Sequence, residues 1–387
     1  MSGLPRLLFL FSSSPSSSSS SCFLCAYIFS HKPSRKNKHA GQAVQQICEL
    51  VLRLFSLRQP LLTRHAIDAL SSLCASSASH MTKTTLSDLL HAVLLTESSW
   101  DANKKDTESV VAVLRLLETG VVKLAAMDPG AAAAVLPRVV HALVPQLASQ
   151  HELLRRATAT ALCAIVSAGL QESEVAAAVS GLGMKGKKLS SVQRVMVAVE
   201  ASLGPQYRDG WEGSLAVAGE VLQRLGRRGA PLAHGLVARI GQLCAGAADL
   251  DSDQDNDEEQ DEAMDEEHRV VAAAQSTLGI ALRTLGPETV LEVLPLHLHE
   301  GLAGTEEART WLLPLLRQHV RHARVGYWVE VLLPLARSMG AQAAAAAKDA
   351  QNRKHEASVC ATLEMQVWET LPSFCSWAED VGDVFAS

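Results

Sequence analysis

The sequence predicts an all-α protein, a HEAT/armadillo-type α-solenoid of stacked antiparallel helix pairs, with a disordered amino-terminal extension and an acidic disordered loop. Three observations predict it. Apolar residues recur three and four apart along most of the chain, the period of one helix face. The periodic stretches come in pairs of roughly 40 residues, the length of a HEAT or armadillo unit, in which neither helix buries its apolar side without stacked neighbours. Aromatic residues are only 4% of the composition while alanine and leucine abound, a balance that favours helices over sheets. A chain of 387 residues also exceeds one compact core, so it needs several domains or an open repeat.

Residues 1–41 read as a low-complexity, disordered extension. "LLFLF" is followed by "SSSPSSSSSSC", "FLCAYIF" and the basic "HKPSRKNKH". The first apolar run ends after five residues, short of the roughly seven that a signal-peptide core needs, so secretion ranks below disorder. No run approaches the ~20 apolar residues of a membrane-spanning helix, and no membrane partner is expected.

HEAT-like repeats are expected over 42–248, with helix pairs at 42–78, 84–128 and 189–247. Between them Leu136, Val139, Val140, Leu143, Val144 and Leu147 form one stripe; the turn "SQHE" follows, and "LLRRATATALCAIVSAGL" supplies the facing helix. Residues 249–268 read as an acidic disordered loop, since 249–267 carry twelve Asp and Glu and no Lys or Arg. Outside that run, 35 basic residues face 29 of the 41 acids, which leaves a mildly basic body that permits contact with nucleic acid. Residues 269–387 resume the repeats and end in a long helix over about 341–371, where Leu363, Val367, Trp368 and Leu371 share a face. Pro137, Pro145, Pro295, Pro314 and Pro334 lie within or beside leucine-rich segments, where a proline either bends a helix so that pairs nest into a curved stack or ends it.

No chemistry-bearing motif survives inspection. Asp251, Asp253, Asp255, Asp257 and Glu262 fall in an EF-hand register, but Asn256 replaces the required glycine, so a calcium site is a minor alternative. "GLGMKG", through Gly181, Gly183 and Gly186, lacks the preceding strand of a dinucleotide site and reads as a loop. Its Lys185, Lys187 and Lys188 are candidate nucleic-acid contacts, with a solvated loop as the plainer reading. Cys22 and Cys25 have no second pair, and His297/His299 and His319/His322 lack partners at ligand spacing, so they read as surface histidines. Cys48, Cys74, Cys163 and Cys244 read as small buried thiols in a reducing compartment. There is no nucleophile elbow, zinc-protease helix or phosphate-binding loop, so neither enzyme nor cofactor is expected.

The segment 285–336, with "LEMQVWETLPSFC" at 363–375, resembles the ribosomal-RNA-processing-twelve-like family of large HEAT-repeat proteins. The matching elements are Gly286-Pro287-Glu288, "LPL" at 294–296, "WLLPLLR" at 311–317, "LLPLA" at 332–336, and Trp368 with "LPSFC". "VQQICELVLRLFSLRQPLLTRHAIDAL" looks like the same family's amino-terminal repeats, so the resemblance covers about 42–387 and implies the amino-terminal portion of a longer family chain. Ser373 stands where glycine is expected. The resemblance implies a nuclear and nucleolar, non-catalytic factor in ribosome biogenesis, acting in pre-rRNA processing and nuclear export of ribosomal subunit precursors. Its partners would be pre-ribosomal particle proteins and pre-rRNA, with Ran GTPase, nuclear-pore components or karyopherins beside them, and no small-molecule substrate. The alternative is a transport-receptor-like solenoid that binds basic protein cargo through the acidic run; a secreted or calcium-binding protein ranks below both.

Overall fold

The computed structural model describes residues 46–48, 50, 60–75, 81–95, 107–182, 189–245, 258–302, 308–348 and 354–382, and these are helices and turns without a strand among them. The chain divides into two compact units, 1–131 and 132–387. The extension at 1–41 lies outside the described residues.

In the first unit, helices α1 (Pro60–Ala75) and α2 (Lys83–Leu94) both pack on α3 (Thr107–Met127). Their shared interior is aliphatic: Ile67, Leu70, Leu86, Leu90, Leu117 and Leu124 are fully buried. Thr82 caps α2, its hydroxyl accepting from the Thr85 amide at 3.2 Å. Asp128, which accepts from the Ala131 amide at 3.1 Å, opens the next helix and holds Lys83 at 2.9 Å. An acceptor at that place satisfies an amide that the helix itself leaves unpaired.

The second unit follows directly. Helix α4 (Pro129–Leu143) tightens into a 3₁₀ turn, Val144–Ala148, and α5 (Glu152–Gly169) doubles back. All six residues of the stripe from Leu136 to Leu147 are buried as the period predicts. Then come α6 (Glu172–Ser180), α7 (Ser191–Ala201), a 3₁₀ turn (Pro205–Gly210), α8 (Trp211–Leu225), α9 (Ala230–Ala245), α10 (Glu258–Thr284), α11 (Pro287–Val293), α12 (Leu298–Leu302) and α13 (Leu312–His319). A helix opening at Val325–Tyr327 passes through a π turn, Trp328–Leu332, into α14 (Leu333–Lys348); α15 (Lys354–Trp368) packs along it, and α16 (Leu371–Cys375) closes the described helices.

Packing partners define two layers in this unit. One row runs α5–α8–α10–α13, each helix touching the next; the other runs α7–α9–α11, and cross-contacts such as α9 on α10 join the rows. This is the repeat architecture that the pairing of apolar stripes anticipates. Burial follows: α8 sinks Leu215, Val217, Ala218, Val221, Leu222 and Leu225, more than one face, because it is flanked on both sides.

Several expectations need correction. The run expected as one helix over 341–371 is instead two helices packed on each other, α14 ending at Lys348 and α15 running Lys354–Trp368; Leu363 and Val367 of α15 are buried and its Trp368 is 41% exposed, while Leu371, in α16, is half-buried. The acidic run is not all loop: from Glu258 its backbone is the start of α10, where carboxylates favour the positive helix end. Residues 249–257 lie outside the described residues. A run of membrane-spanning length does exist, Pro129–Ala148, by length and composition, but most of it is buried inside the fold, which accounts for its apolar character.

The prolines divide by position. Pro137 sits inside α4, Pro145 opens a 3₁₀ turn, Pro314 lies in the first turn of α13, and Pro295 follows the end of α11. Pro334 comes one residue after the π turn, whose end is marked by the Leu333 amide reaching back to the Trp328 carbonyl. A proline cannot donate to the carbonyl four residues before it and its ring crowds that carbonyl, so a widened turn absorbs the misfit.

Gly286 and Gly210 are sterically required. At Gly286 the backbone takes φ +96°, a left-handed entry into α11 that a side chain would strain, with Pro287 at the first helical position. At Gly210 a β-carbon would stand 2.0 Å from the Leu147 carbonyl oxygen, so the 3₁₀ turns at 144–148 and 205–210 meet only because that position is bare. Gly210→Ala is expected to destabilise the protein by about 2 kcal/mol through overpacking against backbone. Thermal unfolding followed by circular dichroism checks this as a lowered midpoint, and an unchanged midpoint would contradict the close approach.

Candidate partner-binding surface

The turns that join successive repeats carry arginines. Arg224, Arg283 and Arg317 stand in the last turns of α8, α10 and α13, where a cation complements the negative helix end. Each also reaches another element. Arg224 donates to the Ser167 hydroxyl of α5 and to Glu220 at 3.1 Å. Arg283 meets Nδ1 of His319 at 2.8 Å, and Arg317 pairs with Glu369 at 2.6 Å. In the turn after α8, Arg228 pairs with Glu172 at 2.6 Å, while Arg227 binds the Glu379 carboxylate and the His322 carbonyl. These groups are largely solvent-exposed, and such pairs stabilise by only about 0.2–1 kcal/mol each. They tie neighbouring repeats in register more than they hold the fold together.

The segment after α16 completes this seam. The His322 amide donates to the Ser376 carbonyl and the Glu379 amide to the Ala323 carbonyl. Asp380 accepts from the Val325 and Gly326 amides at 2.7 and 2.8 Å, capping the helix that opens there. Burial pushes its carboxyl up, but hydrogen bonds from the Gly326, Val325 and Asp380 amides outweigh that and hold it below the usual carboxylate range.

A shallow cleft of about 300 Å³ opens at the first turn of α8, beside the α7–α8 turn, the last turns of α9 and the middle of α10. Arg208, Trp211, Arg239, Gln242 and Glu267 line it over Leu243 and Val270. Arg239 donates to Gln242 at 2.8 Å, Arg208 stands 3.8 Å from Glu267, and the Trp211 indole donates to the Gly204 carbonyl at 3.0 Å. Its polar groups suit binding; no nucleophile and base meet there.

Of the residues singled out in the sequence, Lys185, Lys187 and Lys188 lie outside the described residues, as do Gly183, Gly186, Cys22, Cys25, Asp251, Asp253, Asp255 and Asp257. Gly181 ends α6, and Glu262 belongs to the backbone of α10. Of the histidines expected at the surface, His297, His299 and His319 are half-buried and His322 is exposed. His299 is held between Ser338 at 2.7 Å and Gln342 at 3.1 Å, and His322 stacks on Trp377 with ring centroids 6.2 Å apart. Burial, then the Arg283 and Arg321 charges, lowers the pKa of His319, which favours the neutral ring that accepts from Arg283. Among the described residues no three His, Cys, Asp or Glu side chains gather as a metal site would require.

The arginine seam and the Asp380 cap went unread in the sequence, because the partners that join separate elements lie 36 to 152 residues apart and no local spacing signals them.

Two packed layers of antiparallel helix pairs, tied turn to turn, make this a HEAT-repeat α-solenoid. Residues 148–387 match the family model for the HEAT repeats of ribosomal RNA-processing protein 12, and the chain belongs to that family. The human RRP12-like protein is 26% identical over 347 residues, 88% of this chain and 24% of the relative. A putative ribosomal RNA-processing protein 12 of Schizosaccharomyces pombe is 31% identical over 114 residues, 30% of this chain and 10% of the relative. The Saccharomyces cerevisiae protein named ribosomal RNA-processing protein 12 is 28% identical over 108 residues, 28% of this chain and 8% of the relative. The chain spans about a quarter of the human relative's length.

The thiols separate by environment. Burial pushes Cys74 and Cys244 up to about 12 and Cys163 up to about 11. Cys375 is exposed. Because the thiolate is the nucleophile, at pH 8 Cys74 and Cys244 hold only about one part in ten thousand as thiolate, and their burial excludes reagents as well. Brief iodoacetamide treatment with peptide mapping is expected to modify Cys375 and spare Cys74 and Cys244 until denaturant is added; early labelling of either buried thiol would contradict the packing.

Proposed function

We propose that the chain serves as a non-catalytic HEAT-repeat scaffold in ribosome biogenesis, acting in pre-rRNA processing and in nuclear export of ribosomal subunit precursors. The observation that carries this reading is the two-layer stack of 132–387, which spreads its polar groups along successive turns instead of gathering them in one enclosing pocket. Such a surface suits a large, irregular partner held by many weak contacts. Membership of the ribosomal RNA-processing protein 12 family, and the names of the human and yeast relatives, support the same process.

Pre-ribosomal particle proteins and pre-rRNA are the expected partners, within the nucleus and nucleolus. Karyopherins, Ran GTPase or nuclear-pore components would enter with the export step. The mildly basic body outside the acidic run is compatible with phosphate contacts. The test is affinity purification of the tagged chain from nuclear extract, with sequencing of the bound RNA. Precursor rRNA is expected to be enriched over mature rRNA and to be released as salt rises from about 50 to 200 mM, as phosphate contacts require. A protein excluded from nucleoli that brings down no precursor RNA or particle protein would contradict the proposal.

A further inference from the structure

The cleft beside the α7–α8 turn has a lining that the packing of the helices does not use. Its apolar part is Pro205, Leu243, Val270 and Val271, with Trp211 half-buried among them. The Trp211 indole donates to the Gly204 carbonyl at 3.0 Å, so the ring is held before anything binds and little rotamer freedom is lost when it is covered. Tryptophan and arginine around an apolar pocket are the side chains that carry most of the energy in protein interfaces. At about 300 Å³ the cleft stands at the lower limit of pockets that enclose a whole ligand, and it is shallow, so it suits one anchoring side chain of a larger partner.

Charge around the cleft is divided in sign. Arg208 has Glu267 at 3.8 Å to offset it, whereas Arg239 donates to the uncharged Gln242 at 2.8 Å and has no carboxylate at ion-pair distance among the described residues. The α9 side therefore offers a guanidinium, whose planar fork fits a carboxylate. The α10 side is opposite. Helix α10 runs for nine residues before Glu267, about 14 Å of axis, and those nine include six Asp and Glu and no Lys or Arg.

We propose that this cleft is a docking site for a short segment of a partner protein, which sets an apolar side chain against Trp211, a carboxylate on Arg239, and Lys or Arg along the start of α10. The divided charge chooses a protein segment over RNA. A nucleic-acid strand is negative at every phosphate and would bring like charge onto the acidic stretch, whereas a peptide carries opposite signs on the two sides of one anchor. The inference rests on the scaffold reading in taking the occupant to belong to a large partner, and it names the chemistry of one contact with that partner.

The test uses the full chain and a random twelve-residue peptide library displayed on phage. Panning is expected to enrich sequences in which an aromatic or leucine anchor has Asp or Glu on one side and Lys or Arg on the other. The tightest of these, made with a fluorescent label, is expected to bind the Arg239→Glu chain about tenfold more weakly and to recover when its acidic residue is changed to lysine. Gln242→Glu, at an exposed position, is expected to weaken it about threefold by neutralising Arg239 without touching the fold. Circular dichroism checks that both variants keep their helices. Enriched peptides without the two-signed pattern overturn the proposal, as does binding that neither variant changes. So does displacement of the peptide by a twelve-nucleotide polyuridine RNA, which would assign the cleft to nucleic acid. A chain that copurifies with precursor rRNA but fails these tests loses this site alone; one that passes them but brings down no precursor RNA or particle protein loses the ribosomal reading instead.

Discussion

The structure rests on one constraint: helices too apolar to be left with a single covered face must be flanked on both sides. Helix α8 shows it most plainly, since Leu215, Val217, Ala218, Val221 and Leu222 spread burial around most of its circumference and are covered only because α5 and α10 both press on it. A fully buried leucine or valine contributes about 1.5–3 kcal/mol, whereas an exposed ion pair of the kind found along the repeat turns contributes about 0.2–1 kcal/mol. The aliphatic rows therefore hold the fold, and the arginine seam sets register. The Thr277 hydroxyl inside the stack is satisfied at short range: it donates to the Ala273 carbonyl at 2.8 Å and lies 3.3 Å from the Leu215 carbonyl of α8.

Function follows from the same constraint. Nearest-neighbour stacking multiplies surface without closing a pocket, and the side chains left over at the turns are arginines, glutamates and exposed aromatics. Those groups suit the proposed role of holding a large partner by many weak contacts. In the small cleft at Arg208, Trp211 and Arg239 the arginines already have polar neighbours in Glu267 and Gln242.

Much of this was legible in the sequence, for a physical reason. Burial in a repeat array is local, so the 3.6-residue period reports it directly: the stripe from Leu136 to Leu147 could be assigned to a buried face from spacing alone. Where the composition stays uniform across a boundary, the reading slipped. "AQAAAAAKDAQNRKHEAS" is alanine-rich at the end of α14 and favours helix at the start of α15 too, so composition did not separate the two helices. The acidic run was assigned wholly to a loop because self-repulsion was weighed without the helix end that its second half begins. Asp380, the cap for an amide 54 residues earlier, and the Trp328–Trp368 contact depend on how the chain returns on itself, which no local pattern encodes.

If stacking between neighbours is what stabilises 132–387, damage in one helix should spread to its neighbours and fade with distance. Leu278 is fully buried in α10, and its replacement by alanine costs about 2–5 kcal/mol in a packed interior. Hydrogen exchange resolved by mass spectrometry reads the consequence helix by helix. For Leu278→Ala the account predicts faster exchange in α8, α10 and α13 with α4 still protected, whereas equal loss of protection from α4 through α15 would mean a single cooperative core and contradict it.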